Sequence, residues 1–187
     1  MKVTHLIQGT WLLLLLSCGP VDVVLADIPS QPDGGMEFRG PPCETNSNCM
    51  GDSFCEKPSC GASFGRCRRR PAFCPPDLSP ECGCNGVTYW NGCLRAGSGI
   101  AASTAGECSA GATCDAQMCP DSRAFCARLV SEPSACSSPT AGRCWVVPDQ
   151  CPAASATWSS CAGPQACTTL CGAIRSQQVF AQVNQCP

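Results

Sequence analysis

Histidine is missing from all but the leader of this chain: the single one is His5. Its absence from the rest excludes histidine general-base, triad and metal-ligand schemes. No signature of the histidine-free enzyme classes replaces it, so the chain reads as a non-enzyme with no cofactor and no bound metal. Large aliphatic side chains are also scarce beyond the N-terminus, because much of the nominal 44% apolar fraction is cysteine and alanine. A core this thin cannot offset chain entropy by itself. Long runs of one charge are absent too, and the net charge is −2, which argues against nucleic acid as a partner. What the chain does have is cysteine, 21 in 187 residues. That density marks a disulfide scaffold made in an oxidising compartment, with each crosslink contributing about 2–4 kcal/mol.

Residues 1–17 read as a signal peptide, with Lys2 ahead of an apolar run that ends in five leucines, 12–16. The run is short for a membrane-spanning helix. Leu15-Leu16-Ser17-Cys18 looks like a bacterial lipobox, in which Cys18 is acylated and becomes the new N-terminus. Ordinary cleavage after Ala26 is the alternative, although it carries Pro20 and Asp22 through the apolar run. Both cleavages leave an even 20 cysteines for pairing. Acylation at Cys18 would anchor the protein at an outer membrane or cell surface; without it the product is secreted or periplasmic. Residues 18–42, rich in Pro and Gly, read as a flexible tether.

The remaining cysteines fall into two runs of ten, and the runs superimpose. Cys43, Cys49, Cys55, Cys60, Gly65-Arg66-Cys67 and Cys74 match Cys114, Cys119, Cys126, Cys136, Gly142-Arg143-Cys144 and Cys151. Six residues follow the Gly-Arg-Cys cysteine in each run, and fourteen separate the last two cysteines in each. Phe54-Cys55 and Phe125-Cys126 also coincide. This reads as a duplicated module, 43–108 and 114–187, joined by 109–113. An even ten per module suits closed pairing, though spacing alone does not give connectivity. A single interleaved knot is the competing reading.

Within the first copy, Cys82-Gly-Cys84-Asn85-Gly86-Val87-Thr88-Tyr89-Trp90-Asn91-Gly92-Cys93 carries an Asn-Gly turn signal, a short strand-like run, and an asparagine suited to cap a helix. Together with Cys67, Cys74 and Cys108, this stretch resembles a Kazal-type serine protease inhibitor domain over 67–108. The resemblance implies a small β-sheet against one short helix near 91–97, ended by Gly97 and Gly99. It also implies Cys74–Cys93 and Cys82–Cys108 pairing, with Cys84 paired to Cys67 in place of a missing family cysteine. The fold class expected is therefore small and disulfide-rich, two tandem modules, the first Kazal-like.

In that family the segment after the second cysteine is presented in extended form to a serine protease. Here it would be Pro75, Pro76, Asp77 and Leu78, with Asn91 and Tyr89 as its support. Preorganisation by disulfides and an asparagine lowers the entropic cost of binding. Pro76 would enter the protease's specificity pocket. A proline there departs from the inhibitor pattern, because it lacks a side chain to fill that pocket and has no N–H. Two functions stand open: a protease inhibitor, or a noncatalytic cell-envelope binding or structural module built on the same scaffold. Arg68-Arg69-Arg70-Pro71 is either a basic patch or a solvated arm.

The second copy keeps the cysteine rhythm but nothing like Gly-Val-Thr-Tyr-x-Asn. Its Leu170-Cys171-Gly172-Ala173-Ile174-Arg175 could start a helix, and Trp145, Trp158 and Phe180 are its main apolar mass, read as packing. Cys82-x-Cys84 and the cysteines at 167 and 171 are read as disulfide partners rather than metal ligands.

Overall fold

Ten disulfides organise the chain, and each joins two cysteines of the same half. A computed structural model describes residues 40–115, 118–163, 167–184 and 186. The signal peptide, Cys18 and nearly all of the expected tether lie outside the described residues. In the first half the bonds are Cys43–Cys55, Cys49–Cys67, Cys60–Cys84, Cys74–Cys93 and Cys82–Cys108. In the second they are Cys114–Cys126, Cys119–Cys144, Cys136–Cys161, Cys151–Cys171 and Cys167–Cys186. The expected Cys67–Cys84 bond is corrected. Cys67 lies opposite Cys55 in a small hairpin and is bonded to Cys49, while Cys84 reaches back to Cys60. Ten disulfides mark the product of an oxidising, extracellular-type compartment, and no described helix is long and apolar enough to cross a membrane.

The leading strands β1 (Pro42–Cys43), β2 (Ser53–Glu56) and β3 (Gly65–Arg69) form a sheet in the order β1-β3-β2. Then come β4 (Glu81–Gly83), β5 (Thr88–Tyr89), helix α1 (Gly92–Gly97) and β6 (Ala102–Ala105). The second half supplies β7 (Phe125–Val130), β8 (Arg143–Val146), β9 (Trp158–Ser160), β10 (Cys167–Thr168), α2 (Leu170–Ser176) and β11 (Val179–Gln182). These assemble into one eight-stranded sheet, β10-β9-β11-β7-β8-β5-β4-β6. The halves meet where β5 runs parallel to β8, with Thr88 opposite Trp145 and Tyr89 opposite Val146.

Local chemistry accounts for the elements around the site. The Asn85-Gly86 turn joins β4 to β5: the Asn85 side chain accepts from the Val87 N–H at 3.2 Å, and Gly86 takes a φ of +75°, which glycine adopts without steric cost. Asn91 caps α1 by accepting from the Leu94 N–H at 2.9 Å. The helix ends at Gly97, and Gly99 follows with φ +72°.

Two apolar clusters lie on the central sheet, and each draws on both halves. Trp90 and Leu94 pack with Ala127, Trp145, Val147, Cys171 and Ile174. Val87 and Tyr89 pack with Cys144 and Val146. Alternation along an extended chain sends Tyr89 and Trp90 to opposite faces, so adjacent residues enter different clusters. Trp145 and Phe180 are buried and Trp158 is half-buried, as expected of core or partly buried packing residues.

One charged cluster is enclosed in the first half. The Arg95 guanidinium lies 3.2 Å from both Glu56 carboxylate oxygens, and its Nη1 also donates to the Ile100 carbonyl. Its Nε is 3.2 Å from Glu81, close enough to pair but off the line for a hydrogen bond. Glu56 also accepts from the Ala102 N–H at 3.0 Å. These contacts tie β2, α1, β4 and β6 together. Of the Arg68-Arg69-Arg70 run, Arg68 lies 3.8 Å from Glu56, and Arg70 pairs with Asp52 and donates to the Gly97 carbonyl.

Candidate functional site: the 74–82 loop

Residues 75–80, between Cys74 and β4, belong to no helix or strand, and 75–79 are exposed. Disulfides and hydrogen bonds hold this loop. Cys74–Cys93 fixes its start to α1, and Cys82–Cys108 fixes its end to the segment after β6. Between them, the Asn91 amide donates to the Pro75 carbonyl at 2.9 Å and to the Asp77 carbonyl at 3.0 Å. The Ser79 N–H donates to the Trp90 carbonyl at 3.0 Å. Asn91 thus uses its side-chain oxygen to cap α1 and its amide nitrogen to brace the loop, a division that requires the carboxamide.

Asn91 holds the carbonyls on either side of Pro76, and the Pro76 carbonyl has a partner of its own. The Trp90 indole N–H donates to it at 2.7 Å. Trp90 is buried and cannot swing out without leaving its cluster. Sequence reasoning placed Tyr89 beside Asn91 as loop support; the structure assigns that role to Trp90. Tyr89 faces away, accepting from the Asn85 amide at 3.0 Å and donating to Asp121 of the second half at 3.1 Å. The strand alternation that separates the two residues was legible, but which face carried the loop was not.

Asp121 is the hub of that second-half contact. Its carboxylate accepts from the Ser98 hydroxyl at 2.8 Å and the Arg123 N–H at 2.9 Å, with the Arg123 guanidinium 3.5 Å away. Burial works against its charge, yet the Arg123 N–H, the Ser98 hydroxyl, the Arg123 guanidinium and the Tyr89 hydroxyl together hold its pKa below the ordinary carboxyl value. Burial, with the Asp121 charge adding to it and the Asn85 hydrogen bond opposing it, pushes the Tyr89 phenol up to about 12.

Around the loop the surface is apolar: Leu78 is 49% exposed, and Phe73, just before Cys74, is 83% exposed. Pro76, Asp77 and Leu78 form one wall of a groove of about 790 Å³. Trp90 and Glu107 line it from the first half, and 152–155, Trp158 and Leu170 from the second. Two sets of three cysteine sulfurs lie close together, Cys43/Cys49/Cys67 and Cys114/Cys119/Cys144. All six are in disulfides and have no thiolate to offer a metal.

Comparison with protein-family models assigns residues 67–108 to the Kazal-type serine protease inhibitor domain. That segment holds the 74–82 loop, its Asn91 brace and the β5-β4-β6 sheet with α1, so the first half contains a Kazal-type unit. Such units are inhibitor modules that bind serine proteases and are not themselves enzymes. No curated protein matches the chain.

Proposed function

We propose that the Kazal-type unit acts as a serine protease inhibitor module, docking through Pro75, Pro76, Asp77 and Leu78. The carrying observation is the Asn91 amide, which bridges the Pro75 and Asp77 carbonyls across Pro76 in an exposed loop closed by two disulfides. A loop so held loses little conformational entropy on docking. The two disulfide-closed halves are duplicated modules, 43–108 and 114–187. They are carried by an exported bacterial lipoprotein, anchored to a membrane through Cys18 and spaced from it by a tether.

The test uses the oxidised full chain, because the cores are shared between the halves. Stoichiometric inhibition of one member of a serine protease panel, lost in Asn91→Ala, supports the reading; inertness of both the wild type and Pro76→Arg across the panel refutes it. Mass spectrometry of the mature N-terminus tests the anchor: an acylated Cys18 supports it, and an unmodified start at Asp27 overturns it.

A specific contact favours the second reading, a noncatalytic binding or structural module of the cell envelope. Standard docking delivers the carbonyl of the pocket residue to the protease's oxyanion hole. The Pro76 carbonyl is already bonded to Trp90. In that reading the loop is one wall of the 790 Å³ groove rather than an inhibitory tip.

A further inference from the structure

Laid over each other by their cysteines, the halves agree in geometry well beyond spacing. Cys55 faces Cys67 across β2 and β3, and Cys126 faces Cys144 across β7 and β8. In both, the glycine of Gly-Arg-Cys backs onto the first disulfide: a Cβ on Gly65 would fall 3.0 Å from the Cys55 sulfur, and one on Gly142 2.4 Å from the Cys126 sulfur. β4 lies between β5 and β6, both antiparallel to it, and β9 lies between β10 and β11 in the same way. Each short helix follows its side strand, and each carries its disulfide on its second residue, Cys93 or Cys171. Each is capped by a polar side chain two residues earlier, Asn91 or Thr169. The Gly106 N–H bonds the Pro80 carbonyl, and the Val183 N–H bonds the Thr157 carbonyl.

This correspondence makes 152–157 the counterpart of 75–80. Six residues separate Cys74 from the first residue of β4, and six separate Cys151 from the first residue of β9. Pro152 then matches Pro75, Ala153 matches Pro76, and Ala154 matches Asp77. Residues 153–155 are exposed and line the same groove as the first loop. At the position that matters most the loops differ. The residue before the helix cap is Trp90 in the first half and Thr168 in the second, which has no indole to offer. Among the described residues none donates a hydrogen bond to the Ala153 carbonyl.

We propose that 152–157 is a second protease-facing loop, with Ala153 entering the small apolar specificity pocket of an elastase-type serine protease. An alanine fills such a pocket without the backbone restriction of proline, and no described residue competes with the oxyanion hole for its carbonyl. Its brace is weaker than the first loop's, because Thr169 supplies no amide to bridge the flanking carbonyls. Both loops line one groove, so a chain accommodates one enzyme at a time. The mechanism is borrowed from the reading of the first loop, but the residues, the pocket and the protease class differ.

The experiment titrates pancreatic-type elastase with the oxidised full chain, in wild type, Ala153→Asp, Thr169→Asn and Met50→Ser forms. Expected are saturable inhibition at one enzyme per chain and a loss of at least about a hundredfold in Ala153→Asp. Met50→Ser, at an exposed residue outside the groove's lining, should leave elastase inhibition unchanged, and Thr169→Asn should tighten it by supplying the brace. Equal inhibition by wild type and Ala153→Asp, or rapid cleavage after residue 153 without inhibition, overturns the proposal. Trypsin separates it from the first loop. Inhibition by Ala153→Arg but not Pro76→Arg upholds the second loop and rejects the first, and the reverse result rejects the second.

Discussion

The Trp90 indole decides whether the first loop can work as an inhibitor, and one nitrogen can be removed to find out. Docking of a substrate-like loop places the pocket residue's carbonyl oxygen against oxyanion-hole donors. In this chain that oxygen already accepts from Trp90 at 2.7 Å, so docking must first break the bond. A net intramolecular hydrogen bond is worth about 0.5–1.5 kcal/mol, which corresponds to about two- to tenfold in an inhibition constant. Trp90→Phe removes the N–H while keeping a ring in the Ala127, Trp145, Ile174 cluster. Trp90→Ala would instead open a cavity costing about 3–5 kcal/mol and confuse the result. The brace survives the change to Phe: both disulfides, both Asn91 bonds and the Ser79 N–H to the residue 90 carbonyl are retained. Because Pro76 suits trypsin poorly, the comparison is made on Pro76→Arg, with and without Trp90→Phe, by progress-curve inhibition of trypsin. The double variant should bind about two- to tenfold tighter, with an unchanged association-limited phase. Equal or weaker binding would show that the indole is a brace rather than a lock, and the argument from the occupied carbonyl would fail.

Other expectations concern stability and ionisation. Tyr89 is the only tyrosine, so absorbance titration reports it alone; its midpoint should lie near 12, and a midpoint near 10 would contradict its burial. Since its folded pKa is raised, its contribution to stability is full below pH 10 and is lost between pH 10 and 12, by about 2–3 kcal/mol. Asp121 is lowered, so its contribution is present above the usual carboxyl range and declines as pH falls through its folded pKa; Asp121→Asn should flatten the acid limb of a denaturant-midpoint profile. Arg95→Leu takes from buried Glu56 its 3.2 Å partner and leaves the Arg68 guanidinium at 3.8 Å, so it should cost up to about 3–5 kcal/mol in chemical denaturation with disulfides intact. Asn91→Asp keeps the helix-capping oxygen but loses both loop bonds, so helix content should hold while proteolytic nicking of 75–79 rises.

Cysteine spacing and polar signatures were the legible part of this fold. The Asn-Gly turn and the α1 cap at Asn91 follow from short-range chemistry that a sequence displays, whereas the 74–82 loop was legible only through the family resemblance. Pairing of Cys84 was not legible. The bond to Cys60 depends on how the β1-β3-β2 sheet sits against β6, and nothing local encodes that. Nor was the seam. Val87-Thr88-Tyr89-Trp90 reads as a strand, but its parallel partner β8 lies more than fifty residues away, and neither Thr88 nor Tyr89 is a cysteine that could tie β5 to it. The likeness of 152–157 to 75–80 was hidden for a different reason. The second half replaces every side chain of the Gly-Val-Thr-Tyr-x-Asn signature, keeping only the length of the loop, the helix cap and the cysteine on the helix's second residue.

Adjacent residues of one strand end therefore link two regions that the sequence treats separately. Tyr89 turns to Asn85 and Asp121, at the junction with the second half, and Trp90 turns to the Pro76 carbonyl in the loop. Both are buried against side chains of the second half. The second half is then part of what sets the loop: Trp145, Val147 and Ile174 hold the indole where its N–H meets Pro76. Thinning the second half's side of the cluster should therefore act at a distance. Ile174→Ala, which touches neither loop, should cost about 2–5 kcal/mol of stability. It should also loosen the Trp90 indole, seen as faster exchange of its N–H proton in NMR. Global destabilisation with an indole that stays as protected as in the wild type, measured well below the unfolding transition, would mean that the lock belongs to the Kazal-type unit alone.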